Sequence, residues 1–146
     1  MQNYAIFHNR QTIHVYFFDV SPIFRYLCKK LYIMEKDKDL RVGIIGTGWI
    51  AGKAAYTLQR QDGLVCQAVG SRTQEKADAF AKEWGVAKAH GSYSDLIADP
   101  EVDLVYVGTP HSHHYDVTME ALERGKPCLV EKAFMANYAQ SKRVVD

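Results

Sequence analysis

Short apolar runs alternate with longer amphipathic stretches from Leu40 to the C-terminus. The short runs are rich in β-branched residues and predict strands, whereas apolar positions at helical spacing between them predict helices. The predicted strands are 40–45, 64–69, 86–90, 103–108 and 127–130, and the predicted helices are 49–61, 74–84, 93–98, 113–124 and 136–145. This order predicts an α/β fold with one parallel sheet covered by helices on both faces.

The first 33 residues do not follow this pattern. Aromatic side chains are scattered there without a sustained period, and Met34 opens a charged stretch that ends at Asp39. We interpret residues 1–39 as an N-terminal extension and charged lead-in, dispensable for the fold and open to disorder. A short aromatic hairpin packed on the domain is the less favoured alternative. Residues 40–146 then form the single predicted domain, truncated in its last helix.

The balance of charge limits the classes of partner. Lys and Arg number 18 against 17 Asp and Glu, so the formal net charge of +1 offers no broad attraction to nucleic acid or an anionic membrane. No apolar run approaches the roughly 20 residues of a transmembrane helix, and no signal-peptide pattern opens the chain. Cys28, Cys66 and Cys128 have neither metal-ligand spacing nor an even disulfide framework. We therefore expect a soluble cytoplasmic protein.

The turn after the first predicted strand carries a glycine motif. Residues 46–51 read Gly-Thr-Gly-Trp-Ile-Ala and match the G-x-G-x-x-G/A fingerprint between a strand and a helix. Gly46 permits the tight turn, Gly48 lets the backbone approach a pyrophosphate, and Ala51 lets the helix pack on its strand. An ordinary glycine-rich turn is the alternative, which the surrounding βαβ pattern disfavours. We expect a Rossmann-type, doubly wound domain whose cofactor contacts include Gly46, Thr47, Gly48, Trp49 and Ile50.

The end of the second predicted strand bears on the choice between NAD and NADP. An Asp or Glu at this point would bind the ribose hydroxyls of NAD, and the sequence has neither. Ser71 and Arg72 stand there instead, with Lys76 a helical turn onward, and a hydroxyl beside a guanidinium suits a 2′-phosphate. The alternative is that Arg72 is a solvated loop charge. The sequence predicts NADP as the preferred cofactor and NAD as the second choice.

A histidine-rich segment follows the fourth predicted strand. Thr109, Pro110 and His111 stand at the strand end, where doubly wound folds bind ligands, and suit nicotinamide contacts. His111, His113 and His114 lie close together but lack a paired carboxylate or cysteine, so we expect no metal site. Helix capping and ligand contact are the expected roles, with His114 among the cofactor-binding candidates.

Glu131 and Lys132 end the fifth predicted strand at the same edge of the sheet. We expect both side chains to project toward the cofactor and both residues to contribute to its binding. The Lys132 ammonium could donate a proton or a hydrogen bond to the oxygen of a carbonyl or alcohol during hydride transfer. A surface ion pair between the two residues is the alternative.

These motifs together resemble the glucose-fructose oxidoreductase and inositol dehydrogenase family, written Gfo/Idh/MocA, over residues 40–146. The resemblance is carried by residues 46–48, 91–93, 108–114 and 130–132. Residues 90–96 and 131–134 are most similar to the branch of dihydrodiol dehydrogenases and NADP-dependent D-xylose dehydrogenases. The resemblance implies hydride transfer between NADP or NAD and a sugar, diol or related alcohol. It also implies that Lys132 is the catalytic lysine.

Two features depart from the pattern of this family. Ala133 stands where most members have proline after Glu-Lys. The family also places its remaining catalytic groups, substrate pocket and oligomer interface on a following α/β domain, which these 146 residues do not include. We therefore expect the chain alone to bind cofactor without turnover and to self-associate through exposed apolar surface. A non-catalytic dinucleotide-binding module or an inactive fragment is the alternative function.

Overall fold

The computed structural model describes the backbone of residues 2–8 and 11–17 and the whole of residues 39–146. The strands are β1 (Gln2–His8), β2 (Gln11–Phe17), β3 (Leu40–Ile45), β4 (Leu64–Gly70), β5 (Lys88–His90), β6 (Leu104–Val107) and β7 (Cys128–Val130). The helices are α1 (Trp49–Leu58), α2 (Gln74–Trp84), α3 (Tyr93–Ala98), α4 (His114–Glu123) and α5 (Tyr138–Val145). A 3-10 turn, His111–His113, precedes α4.

The strands after residue 39 form a parallel sheet in the order β5-β4-β3-β6-β7. A helix lies in each connection between successive parallel strands, as a parallel crossover requires. The order reverses between β3 and β6, which is the switch point at which doubly wound folds bind ligands. The predicted Rossmann-type α/β fold is confirmed. The predicted elements are all present, although α1 ends before residue 61 and β5 is shorter than its predicted range.

An antiparallel hairpin extends the sheet beyond β7. β1 pairs with β2 from Gln2 opposite Phe17 to His8 opposite Gln11, and its other side pairs with β7. Residues 2–8 and 11–17 therefore pair as the two strands of the hairpin that the sequence favoured less. Residues 18–38, which include Met34, lie outside the described residues, and the expectation that the fold does not need residues 1–33 stays a prediction.

Each face of the sheet carries its own hydrophobic core, because alternate strand residues point to opposite faces. The face covered by α1 and α2 buries Val42, Ile44, Leu58, Phe80, Tyr106 and Leu129. The face covered by α3, α4 and α5 buries Ile45, Leu96, Val105, Val107, Val117 and Val130.

Side-chain caps fix where the helices begin at the carboxyl edge of the sheet. The Thr73 hydroxyl accepts from the Lys76 amide at 3.5 Å at the start of α2, and the Ser92 hydroxyl accepts from the Asp95 amide at 3.1 Å at the start of α3. Gly85 ends α2 in the left-handed conformation with φ of 65°. The loops between the strand ends and these helices are therefore short, and their residues remain at the sheet edge.

Candidate cofactor-binding site

Backbone hydrogen bonds tie the strand-end loops together at one edge of the sheet. The Gly46 amide donates to Gly70 O at 2.9 Å, and the Gly108 amide donates to Ile45 O at 2.9 Å. The Glu131 amide likewise donates to Val107 O at 3.1 Å. The structure therefore brings the predicted site residues after β3, β4, β6 and β7 into one row. In that row Gly46, Ser71, Thr109, His114 and Glu131 are buried, Thr47 and Ile50 are half-buried, and Gly48, Trp49, Arg72, Lys76, Pro110, His111 and Lys132 are exposed.

The glycine turn lies at the switch point of this row. Gly46 has φ of 110°, and a Cβ atom there would lie 2.8 Å from Gly108 O, so the close turn between β3 and α1 requires glycine. Gly48 has an extended backbone and is the N-cap residue of α1, and no atom lies within 4 Å of the position of a Cβ. Ala51 is fully buried. The N-terminus of α1 is therefore open to a ligand, and its free N–H groups favour an anion.

Ser71 and Arg72 differ in exposure although they are adjacent. The Ser71 residue is 4% exposed, and its amide donates to His90 O at 3.0 Å, which ties the end of β4 to the end of β5. Arg72 is exposed, as is Lys76 in the first turn of α2. The cationic groups that could bind a phosphate thus lie just after β4, at Arg72, and in the first turn of α2, at Lys76, with both side chains at the surface.

A cavity of about 340 Å³ opens beside Arg72. Its other lining residues come from the loop before α3, the first turn of α3, the 3-10 turn and α4, and they are Gly91, Ser92, Tyr93, Ser94, His113, Asp116, Val117 and Glu120. The sequence pattern assigned none of these residues to a cofactor contact. The helical spacing of Asp116 and Glu120, on a helix that begins at the ligand-binding edge, was the available signal.

His114 joins the loops that follow β6 and β7. Its residue is 1% exposed, and Nε2 donates to Thr109 O at 2.8 Å. Nδ1 faces Ala133 O at 3.0 Å and Phe134 O at 3.2 Å. Both ring nitrogens therefore face backbone carbonyl oxygens. The imidazole therefore holds the two loops together from within.

Thr109 carries a buried hydroxyl with no hydrogen-bond partner among the residues that the structure describes. Its Oγ1 lies at the carboxyl end of β6, in a residue that is only 6% exposed. Burying a hydroxyl without a partner is costly, and such atoms in folded proteins usually have a water or ligand partner. This orphaned atom lies in the row of loops predicted to contact the nicotinamide half of the cofactor.

Glu131 and Lys132 point to different surroundings. The Glu131 residue is 3% exposed, its Oε1 accepts from the Tyr106 hydroxyl, and its Oε2 accepts from the Lys132 amide at 3.2 Å. The Lys132 side chain is exposed. Glu131, which we expected to project toward the cofactor, is thus bonded within the sheet instead, and only the ammonium group of the pair is free to reach a ligand.

The three clustered histidines differ in their exposure. His114 is buried, whereas His111 and His113 are exposed. Within residues 39–146, no three His, Cys, Asp or Glu side chains come together in a way that could hold a metal ion.

The described helices include none that is long and apolar enough to cross a membrane.

Comparison with known proteins gives matches that cover most of the chain. A family described as "Oxidoreductase family, NAD-binding Rossmann fold" matches residues 40–146. The chain is 39% identical over 119 residues to D-xylose 1-dehydrogenase (NADP(+)) of Hypocrea jecorina, a match that covers 73% of this chain and 30% of the relative. It is 41% identical over 106 residues to trans-1,2-dihydrobenzene-1,2-diol dehydrogenase of Xenopus laevis, covering 70% of this chain and 32% of the relative.

A solved structure also shares the fold of most of the chain. The crystal structure of myo-inositol dehydrogenase from Lactobacillus casei in complex with NAD(H) and myo-inositol matches with a TM-score of 0.70 at 26% identity. This match covers 74% of the present chain and 32% of the other. The chain thus spans about a third of the length of the proteins that it matches.

Proposed function

Since this chain belongs to the Gfo/Idh/MocA oxidoreductase family, we propose that it holds NADP or NAD for hydride transfer to or from a sugar, diol or related alcohol. The names of its relatives, a D-xylose dehydrogenase and a dihydrodiol dehydrogenase, support this substrate class. The observation that carries the proposal is the glycine turn of Gly46 and Gly48, which lies open at the switch point of the parallel sheet.

The residues at this edge fit a dinucleotide. The turn at Gly48 and the N-terminus of α1 would hold the pyrophosphate, since the backbone is open there and a helix N-terminus favours an anion. The orphaned Thr109 hydroxyl would gain a hydrogen-bond partner from the nicotinamide half. Trp49 and Ile50 follow the glycine turn in the sequence, and Pro110 and His111 follow Thr109, so all four would lie next to these proposed contacts.

The adenosine half would occupy the cavity beside Arg72. In this position Arg72 would face the 2′-phosphate of NADP, with Ser71 and Lys76 close by in the sequence, so NADP would bind more tightly than NAD. The volume of about 340 Å³ lies within the range of small-molecule sites. The Asp116 carboxylate in its wall could accept a hydrogen bond from the adenine amino group.

Lys132 would act at the nicotinamide end. When bound, the cofactor supplies or accepts the hydride. The exposed Lys132 ammonium would donate a proton to the oxygen of a carbonyl substrate that gains the hydride, and in the reverse direction the neutral Lys132 amine would accept the hydroxyl proton of an alcohol that loses the hydride. Glu131 and His114 would hold in place the loop that carries Lys132, through their hydrogen bonds to its backbone.

The alternative is a module that binds the dinucleotide without catalysis. It is favoured by the openness of the edge, where Trp49, Pro110, His111 and Lys132 are all exposed. An open edge can hold nicotinamide but does not exclude water or orient a second reactant.

A titration on the purified chain tests the proposed function and the alternative of a non-catalytic module. NADPH and NADH are added while energy transfer from tryptophan to the reduced nicotinamide is followed, Trp49 and Trp84 being the two tryptophans of the chain. We expect saturable binding, tighter for NADPH, and, when NADP+ or NAD+ is supplied with D-xylose or a trans-diol in a parallel assay, no formation of the reduced cofactor. Turnover would mean that a second chain supplies the remaining groups, which sedimentation of the same sample would detect. The absence of a saturable signal with either cofactor would contradict the proposal.

A further inference from the structure

A buried tyrosine and a buried glutamate meet between β6 and β7. The two strands are parallel, with Tyr106 opposite Leu129, and both of these side chains lie in the core beneath α1 and α2. Glu131 lies two residues beyond Leu129, so the alternation of the strand directs it to the same face. The Tyr106 hydroxyl donates to Glu131 Oε1, and both residues are about 95% buried.

The other carboxylate oxygen reaches the backbone of the proposed catalytic residue. Glu131 Oε2 accepts from the Lys132 amide at 3.2 Å. A carboxylate taken out of water needs a donor for each oxygen, and here one donor comes from a rigid strand and the other from the Lys132 loop. The glutamate thus connects the sheet to the residue whose side chain is exposed at the site.

Tyr106 also lies directly under the cofactor-binding loops. A Cβ atom on Gly108 would lie 3.0 Å from Tyr106 Cε1 and 3.6 Å from Ile50 Cγ2. The aromatic ring therefore packs beneath the loop after β6 and close to the first turn of α1. A ring packed in this way has little freedom to move, so the packing holds the Tyr106 hydroxyl in one position.

We infer that Tyr106 is a positioning residue which, through Glu131, fixes the backbone of Lys132 and so shapes the nicotinamide end of the site. This inference rests on the proposed function. It gives Glu131 a role through Lys132 rather than through contact with the cofactor. Without the hydroxyl, Glu131 Oε1 would be buried without its donor, and the carboxylate would turn away to find another. The Lys132 amide would then lose its acceptor.

Tyr106→Phe removes the hydroxyl and keeps the packed ring, so it is the main test. Tyr138→Phe is the matched control, because Tyr138 is 81% exposed on α5. We expect hydrogen exchange of the Lys132 amide to become about tenfold faster in Tyr106→Phe alone, since it loses its acceptor. The amides of Ile44 and Val69 in the inner strands should keep the exchange rates of the unaltered chain.

Binding of two different ligands to the same variants distinguishes an effect at the nicotinamide end of the site from an effect at the adenosine end. NADPH spans the whole site, whereas adenosine 2′,5′-bisphosphate lacks the nicotinamide half. We expect Tyr106→Phe to weaken NADPH by about fivefold to tenfold and to leave the bisphosphate within about twofold of the unaltered chain. A purely structural role for Tyr106 would weaken both ligands equally.

Two results would overturn the inference. One is an unchanged exchange rate of the Lys132 amide in folded Tyr106→Phe, and the other is equal weakening of both ligands. If Tyr106→Phe does not fold, Glu131→Leu removes both acceptor oxygens of the side chain, and the Lys132 amide should exchange faster there too. If the unaltered chain binds neither ligand, the proposed function fails, while the exchange rate still decides whether Tyr106 positions Lys132.

Discussion

The two glycines of the turn after β3 differ in what a side chain would meet. At Gly46 a Cβ atom would lie 2.8 Å from Gly108 O, and φ of 110° is a conformation that other residues rarely adopt. At Gly48 the backbone is extended and the space is empty to 4 Å. The fold therefore requires glycine at position 46, whereas only a bound ligand would require it at position 48.

Gly48→Ala should separate binding from folding. We expect the variant to fold, with a loss of about 0.5–1 kcal/mol because alanine is a poorer N-cap than glycine. NADPH should bind at least about tenfold more weakly, since the methyl group would keep the pyrophosphate from the backbone. Thermal unfolding and fluorescence titration measure the two effects. Unchanged affinity in Gly48→Ala would mean that no phosphate approaches this turn.

Arg72→Ala should change the ratio of the affinities for NADPH and NADH. Arg72 is exposed, so we expect its removal to change the free energy of unfolding by less than about 0.5 kcal/mol. NADPH should bind about tenfold more weakly, through loss of a charge-assisted contact to the 2′-phosphate, and NADH should be little affected. Lys82→Ala removes an equal charge at the far end of α2 and is the control. Equal weakening of both cofactors would show that Arg72 does not read the 2′-phosphate.

At the scale of elements, the sequence predicts best where two local signals agree. α2 was predicted at 74–84 and is found at Gln74–Trp84, because its apolar period lies between a capping Thr73 and a left-handed Gly85. β5 was predicted at 86–90 but covers only Lys88–His90, since a short edge strand has little periodicity to mark its start. The hairpin of β1 and β2 was not favoured because residues 1–33 show no sustained strand period.

The parts of the candidate site also differ in how well the sequence predicts them. The loops that carry Gly46, Arg72 and Lys132 could be placed from the sequence, because all parallel strands end at one edge. The cavity could not be placed, since its walls come from α3 and α4, which meet only through tertiary packing. The burial of Glu131 depends on the register of β7 against β6, and a run of three apolar residues does not reveal that register.

An ion pair at the opposite edge joins β3 to the loop before β6. The Arg41 guanidinium binds both carboxylate oxygens of Asp103, at 2.9 and 2.8 Å. Burial raises the pKa of the Asp103 carboxyl, but the hydrogen bonds and charge of Arg41 outweigh this, so the pKa lies below its ordinary value of 3.8. Because the pKa is lower in the folded state, the pair stabilises the fold above this value, and the contribution is lost as the pH falls through the folded pKa.

Asp103→Asn should therefore reduce the fall in the free energy of unfolding at acidic pH. We expect the free energy of unfolding of the unaltered chain to fall as the pH is lowered from about 5 to about 2. The variant should be about 1 kcal/mol less stable at neutral pH and should show a smaller fall, because its amide does not titrate. Denaturant unfolding at each pH measures the slope. Asp62→Asn, at an exposed turn, should keep the original slope, and equal slopes in the two variants would contradict the assignment.

For the molecule as a whole, two buried thiols report on different parts of the sheet. Cys66 lies in β4, between β3 and β5, whereas Cys128 lies in β7, whose outer side is paired with β1. Burial raises the pKa of each thiol to about 12, so little reactive thiolate exists in the folded protein near pH 8. Alkylation then requires local or global opening, and comparing the two thiols shows which strand opens.

A variant that begins at Met34 should keep the domain but loosen its outer strand. It lacks β1, β2 and Cys28, so β7 becomes an unpaired edge strand. We expect cooperative unfolding, an unchanged slow reaction of Cys66 with iodoacetamide, and a reaction of Cys128 about tenfold faster than in the full chain, because edge strands open more readily than inner ones. Peptide mass mapping measures each rate. Fast alkylation of both thiols would show that the fold needs residues 1–33, and equal Cys128 rates in the two chains would show that the hairpin does not protect β7.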